Sequence, residues 1–227
     1  PEYTLTVPST QEEIKVRAFL VKEQKVLMIA QESNDENMVA NALGTLVSAC
    51  TYGKVDADKN PMFDIEYIFL QIRAKSVGAK VTLNVYCPDD NVTTTEIEVD
   101  LESIQVQTNV EHSDTIKLTD DIKVVLNPPR LSDVAGLDLE NSEFEKMTQL
   151  VKRCISSVET NDETINRIDM TSEEIDEFIN SFSGKQLEDV VNFFETMPKV
   201  RHIVEVTNPV TKVKGEILLE GIESFLE

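Results

Sequence analysis

The turn Cys87-Pro88-Asp89-Asp90 comes closest to a metal knuckle in this sequence. Zinc ribbons place two cysteines two residues apart at such a hairpin, because the turn aims both thiolates at one ion. Here Asp90 holds the second position, no second ligand pair follows, and His112 and His202 stand alone. The reading is an ordinary hairpin turn without metal. Asp56-Ala57-Asp58-Lys59-Asn60 begins like a calcium loop, but the glycine at position 6 and the glutamate at position 12 are missing. The acidic pairs Glu173/Glu174, Asp89/Asp90 and Asp120/Asp121 are what so acidic a chain produces by chance. Neither histidine has a nucleophile or an orienting group near it in sequence. Seven glycines leave little from which to build a phosphate cradle. The expectation is a protein that is not an enzyme, with no cofactor, no metal and no small-molecule substrate.

Composition narrows the partners. Acidic residues outnumber basic ones 42 to 21, for a formal charge of −21. The acidity is general, with a local peak at Asp162–Glu177. Such a surface repels phosphates and anionic headgroups, so neither nucleic acid nor a membrane is an expected partner. A basic protein surface is one that it could complement. The hydrophobic share of 41% supports a real core. No stretch approaches the ~18 consecutive apolar residues of a membrane span. No charged-then-apolar leader opens the sequence, and the three cysteines are widely spaced, so reduced thiols in a soluble, cytoplasmically made product are expected. Cys50 and Cys154 continue apolar helical patterns and read as core residues.

The elements follow from periodicity. Residues 3–7 and 14–20 alternate around Pro8-Ser9-Thr10 as a hairpin. Helices are expected at 21–31, with Val26, Leu27 and Ala30 inward, and at 35–51, stopped by Gly53. A helix over 62–77 is apolar around much of its circumference and must be buried in its own domain or against a partner. Short strands from Lys80 to Leu126 read as a central antiparallel sheet, ended by Asn127-Pro128-Pro129. Beyond it, 131–139 is ambiguous, 142–158 reads as helix and 159–169 as an acidic linker. Two short helices between Thr171 and Pro198 each carry a capping-box start, Thr171 with Glu174 and Ser183 with Gln186. Strands at 200–206 and 213–219 and an apolar hook at 221–226 close the sequence. The expected fold class is α+β: an N-terminal hairpin and helices, a central antiparallel sheet, then a helical C-terminal module ending in a strand hairpin. The expected division is 1–130 and 131–227.

Three stretches resemble a known family: 17–25 (RAFLVKEQK), 64–78 (DIEYIFLQIRAKSVG), and 193–199 (FFETMPK) with 219–225 (LEGIESF) after a strand hairpin. In this order they are similar to the baseplate hub subunits of T-even-like contractile-tailed bacteriophages. Some members carry Cys-x-x-Cys where this sequence has Cys87 and Asp90, a departure that weakens any metal reading. The resemblance implies a non-enzymatic structural or assembly protein of the tail baseplate hub, whose partners are other hub or tail proteins. Its location would be the virion, or the host cytoplasm during assembly. The alternative is a dedicated chaperone that shields a hub component and leaves before the virion is complete. Two stretches are candidate partner-binding surfaces: Tyr67, Phe69, Arg73 and Lys75 on the third helix, and Phe193, Phe194, Met197 and Phe225 toward the C-terminus. For each aromatic the competing reading is core packing.

Overall fold

A computed structural model describes residues 1–226 apart from 138, 139 and 141. In chain order the strands are β1 (Glu2–Thr6), β2 (Glu13–Arg17), β3 (Lys80–Tyr86), β4 (Thr94–Asp100), β5 (Gln105–Gln107), β6 (Thr115–Lys117), β7 (Ile122–Leu126), β8 (Ile155–Thr160), β9 (Thr164–Asn166), β10 (Lys199–Thr207) and β11 (Lys214–Glu220). The helices are α1 (Val21–Glu32), α2 (Glu36–Cys50), α3 (Met62–Val77), α4 (Leu131–Ala135), α5 (Glu143–Cys154), α6 (Ser172–Asn180) and α7 (Gly184–Thr196). The fold is α+β, every described strand pair is antiparallel, and a strand hairpin lies near the C-terminus. The expected central sheet is divided. Among the described residues β3 and β4 pair only with each other, β5 joins the edge of β10, and β6 and β7 belong to a four-stranded sheet with β8 and β9.

The chain forms two compact units, Pro1–Gln107 with Pro198–Glu227, and Thr108–Met197. These boundaries lie elsewhere than the expected break near residue 130. The second unit is an insertion into the first. Its two connections leave the first unit side by side, because Gln107 at the end of β5 pairs with Lys199 at the start of β10.

The first unit is built on α3. Ile65, Ile68, Phe69, Leu70 and Ile72 are fully buried, and each such side chain contributes about 1.5–3 kcal/mol relative to exposure. A helix covered on nearly all sides cannot leave its polar residues unpartnered. Asp64 accepts from the backbone N–H of Ser9 (2.9 Å) and from Asn60 Nδ2 (3.1 Å). Gln71 Nε2 donates to Leu101 O (3.0 Å). Ser76 Oγ accepts from Phe19 N–H (3.0 Å). The polar groups of α3 thus tie the β1–β2 turn, the segment after β2 and the segment after β4 to one axis.

Helix α2 ends in a Schellman motif. Gly53 N–H bonds Ser48 O (2.8 Å) and Tyr52 N–H bonds Ala49 O (3.4 Å). The left-handed position right after the cap is filled by Tyr52 (φ 55°), with Gly53 (φ 75°) next. The expected inward face of α1 holds at Leu27 and Ala30 but not at Val26, which is 54% exposed.

In the second unit, Val124, Leu126, Val151, Cys154, Ile175, Val190 and Phe193 form one apolar core between the β6–β9 sheet and the helices. The two capping boxes form as the spacing predicts: Thr171 Oγ1 accepts from Glu174 N–H (3.1 Å) and Ser183 Oγ from Gln186 N–H (3.3 Å). Helix α7 stops at Met197, whose ψ of 157° is the extended value forced on a residue before proline. Two expectations fail here. The helix predicted over 142–158 ends at Cys154, and Ile155–Thr160 is strand β8. The predicted acidic linker is mostly the β8–β9 hairpin, with Ser157 opposite Asn166 and Val158 opposite Ile165. Val158 sits at helical spacing from Val151 and Cys154, yet β-branched Ile155 and Val158 favour the pleated ladder beside β7. The ambiguous 131–139 stretch contains α4, and Leu139 lies outside the described residues.

Candidate functional site

The Cys87 turn is a clasp between two hairpin tips of the first unit. Asp89 accepts from Asn208 Nδ2 (3.0 Å) and Thr211 Oγ1 (2.6 Å), and Asp90 accepts from the same amide (3.0 Å). Asp90 also accepts from the Thr93 hydroxyl (2.6 Å) and from the N–H groups of Val92 and Thr93, both at 2.9 Å. These donors hold both carboxyls below the usual carboxylate range, led by Thr211 for Asp89 and by Thr93 for Asp90. Asn208 is fully buried, and its Oδ1 accepts from Val210 N–H (2.8 Å). The Cys87 thiol is buried, which pushes its pKa up, with Asp89 and Asp90 adding to the rise. The oxygens that would face a cation already face hydrogen-bond donors. Among the described residues no three His, Cys, Asp or Glu side chains converge as a metal site.

Gly215 on β11 meets Pro88 across this clasp. A Cβ built there would lie 2.5 Å from Pro88 Cγ. The proline ring cannot swing away, so Gly215→Ala is expected to destabilise the protein by about 1–3 kcal/mol. Gly184→Ala, with nothing within 4 Å of the new methyl, should not. Urea midpoints of the two variants check this.

The C-terminal hook is fastened to α3. After Gly221, whose φ of +72° only glycine adopts freely, Ile222 N–H donates to Glu66 Oε1 (3.1 Å). Arg73 Nη1 donates to Phe225 O (2.7 Å), and Phe225 is fully buried. Burial pushes the Glu66 carboxyl up to about 7; the Ile222 N–H opposes the rise, and the nearby Glu223 and Glu220 add to it.

The residues singled out in the sequence separate into two groups. Phe69 and Phe225 lie in the core of the first unit, and Phe193 and Phe194 in that of the second. All four follow the core-packing reading. Tyr67, Arg73, Lys75 and Met197 are half-buried. Lys75 pairs with Glu102 and stands 5.5 Å from the Tyr3 ring centroid. The two histidines are placed by packing. His112 Nδ1 lies 3.0 Å from Thr196 Oγ1, with its ring 5.0 Å from that of Phe193. Its burial lowers its pKa. His202 is half-buried in β10 opposite Leu219. Cys50, Cys87 and Cys154 are free buried thiols, with burial raising Cys50 to about 11 and Cys154 to about 12.

The exposed apolar side chains lie elsewhere. Leu20, Val21, Met28 and Ile29 are exposed on and just before α1. Ile203 and Leu218 are 56% and 51% exposed on β10 and β11, directly opposite each other. The sequence carried a signal for the second pair: Ile203 falls on the polar parity of a strand whose Val200, Val204 and Val206 point the other way.

A model of the T4 bacteriophage base plate protein family matches residues 1–227, from end to end. The chain belongs to that family. It is therefore a phage base plate protein with a structural or assembly role, and its contacts are with other base plate proteins. Neither a curated protein nor a solved structure matches it. No described helix of this base plate protein is long and apolar enough to cross a membrane.

Proposed function

We propose that the chain is a component of the base plate hub of a contractile phage tail and acts by protein–protein contact, without catalysis. The family match over residues 1–227 supports the base plate role, and the resemblance of 17–25, 64–78, 193–199 and 219–225 to hub subunits supports the hub. The chemistry-bearing side chains support it. The Asp89/Asp90 pair, Asp64, Glu66 and Arg73 each make hydrogen bonds that hold loops or the C-terminal hook in place. The half-buried Tyr67, Arg73, Lys75 and Met197 and the exposed β10–β11 face are the contact surfaces. Hub components remain in the particle, whereas a chaperone leaves it. Mass spectrometry of purified tails is expected to find the chain in fixed ratio to the other base plate proteins. Its presence in infected-cell lysate but absence from tails would instead identify a chaperone.

A further inference from the structure

The outer face of the β10–β11 hairpin has an unusual row of cross-strand neighbours. Arg201 faces Glu220 and is paired with it at 2.6 Å. Next, Ile203 faces Leu218, both exposed. Then Glu205 faces Glu216, also both exposed. Like charges directly opposite destabilise a hairpin, and neither carboxylate has a basic partner among the described residues.

This row borders an open sheet edge. The strand order is β11–β10–β5, so β11 is an edge strand. Gly221 N–H bonds Val200 O, which fixes the parity of the ladder. Gly215, Ile217 and Leu219 turn their backbone groups toward β10; Lys214, Glu216, Leu218 and Glu220 turn theirs away. At Glu220 the outward N–H and C=O are both taken by Ser224 Oγ, at 3.2 and 2.7 Å. The hook thus closes one end of the edge and, among the described residues, leaves Lys214–Leu218 without a strand beside it. On this open stretch the outward backbone groups belong to the residues that display Glu216 and Leu218.

We propose that β11 accepts an added strand from another base plate protein: an extended segment with an apolar residue beside Leu218 and a lysine or arginine beside Glu216. This rests on the hub reading above and names the partner's chemistry. Strand addition satisfies the open N–H and C=O groups, and side-chain pairing along the new strand sets its register. A basic residue there relieves the Glu205–Glu216 repulsion, since neither carboxylate has an ion-pair partner among the described residues. A second copy paired in the register centred on Glu216 would set that carboxylate against itself, whereas a different protein with a basic residue at that position would not.

The test uses the full chain, tagged, in pull-downs from phage-infected cells. Two variants are compared with wild type. Glu216→Lys turns the like-charged pair into a matched one, so the fold gains stability while the docking charge is inverted. Glu216→Pro removes the outward N–H without touching the ladder to β10. Both are expected to lower recovery of the captured base plate protein by at least about tenfold, the size of a lost charged pair or strand register. Glu188→Lys, an exposed change in α7, should recover it fully. Cross-linking from Leu218 should map to a partner strand that carries an apolar and a basic residue two positions apart, on one face. Equal recovery with Glu216→Pro overturns strand addition. A wild-type chain that self-associates through this edge, losing its dimer in Glu216→Pro, overturns the choice of partner. If wild type captures no base plate protein at all, the hub reading itself fails.

Discussion

Truncating Phe225 to alanine is expected to cost about 3–5 kcal/mol, the range for a fully buried aromatic. The hook reaches α3 through one aromatic anchor and two backbone bonds, Ile222 N–H to Glu66 and Phe225 O to Arg73. Losing the ring opens a cavity beside α3 and frees the segment that carries both bonds. Urea unfolding should show a lower midpoint for the first unit. The reading of Phe225 as a partner contact requires the opposite: unchanged stability with lost capture of other base plate proteins. Phe225→Asp would unfold the hook altogether, because it replaces a fully buried ring by a charged group that burial disfavours.

The second large effect is a pH dependence centred on Glu66. Its carboxyl is raised from the ordinary 4.5 to about 7, chiefly by burial. The folded state therefore holds this proton more tightly than the unfolded chain does. The associated stability is complete below pH 4.5, is lost progressively as the pH climbs, and is gone above about 7. A rise of this size corresponds to about 3 kcal/mol. Glu66→Gln keeps an oxygen for Ile222 N–H and has no proton to lose. The stability of the variant minus that of wild type should grow by about 3 kcal/mol between pH 4.5 and 7.5 and then level off. A pH-independent difference in urea unfolding would show that Glu66 does not titrate in this range.

Local signals in the sequence carried far. Thr171 with Glu174, and Ser183 with Gln186, are neighbours along the chain, and their capping boxes form as read. The apolar circumference of α3 was legible as burial, since no water-facing side is left on it. Signals that depend on distant partners did not carry. The strand at 104–108 was legible but its sheet was not, because the partner of β5 is β10, beyond the whole inserted unit. The polar β8–β9 hairpin read as a linker because β7 supplies its second neighbour and Val158 sits at helical spacing. The aromatics of the candidate surfaces show the same limit. Apolar type is identical for a core and for an interface, and only packing sorts Phe69, Phe193, Phe194 and Phe225 into the interior. The Glu205–Glu216 mismatch needs the hairpin register before it can be seen.

In the first unit α3 is the buried axis, the hook closes one end of β11, and among the described residues no strand pairs with the rest of that edge. Amide exchange at β11, measured for the free chain and for its complex with the captured base plate protein, tests this most directly. In the free chain Ile217 and Leu219 should already be slow, protected by β10, while Glu216 and Leu218 exchange quickly. On binding, Glu216 and Leu218 are expected to slow at least about tenfold, which an opening free energy greater by about 1.4 kcal/mol would produce. Unchanged exchange at these two amides, with new protection on α1 or in the second unit, would contradict docking through the edge of β11.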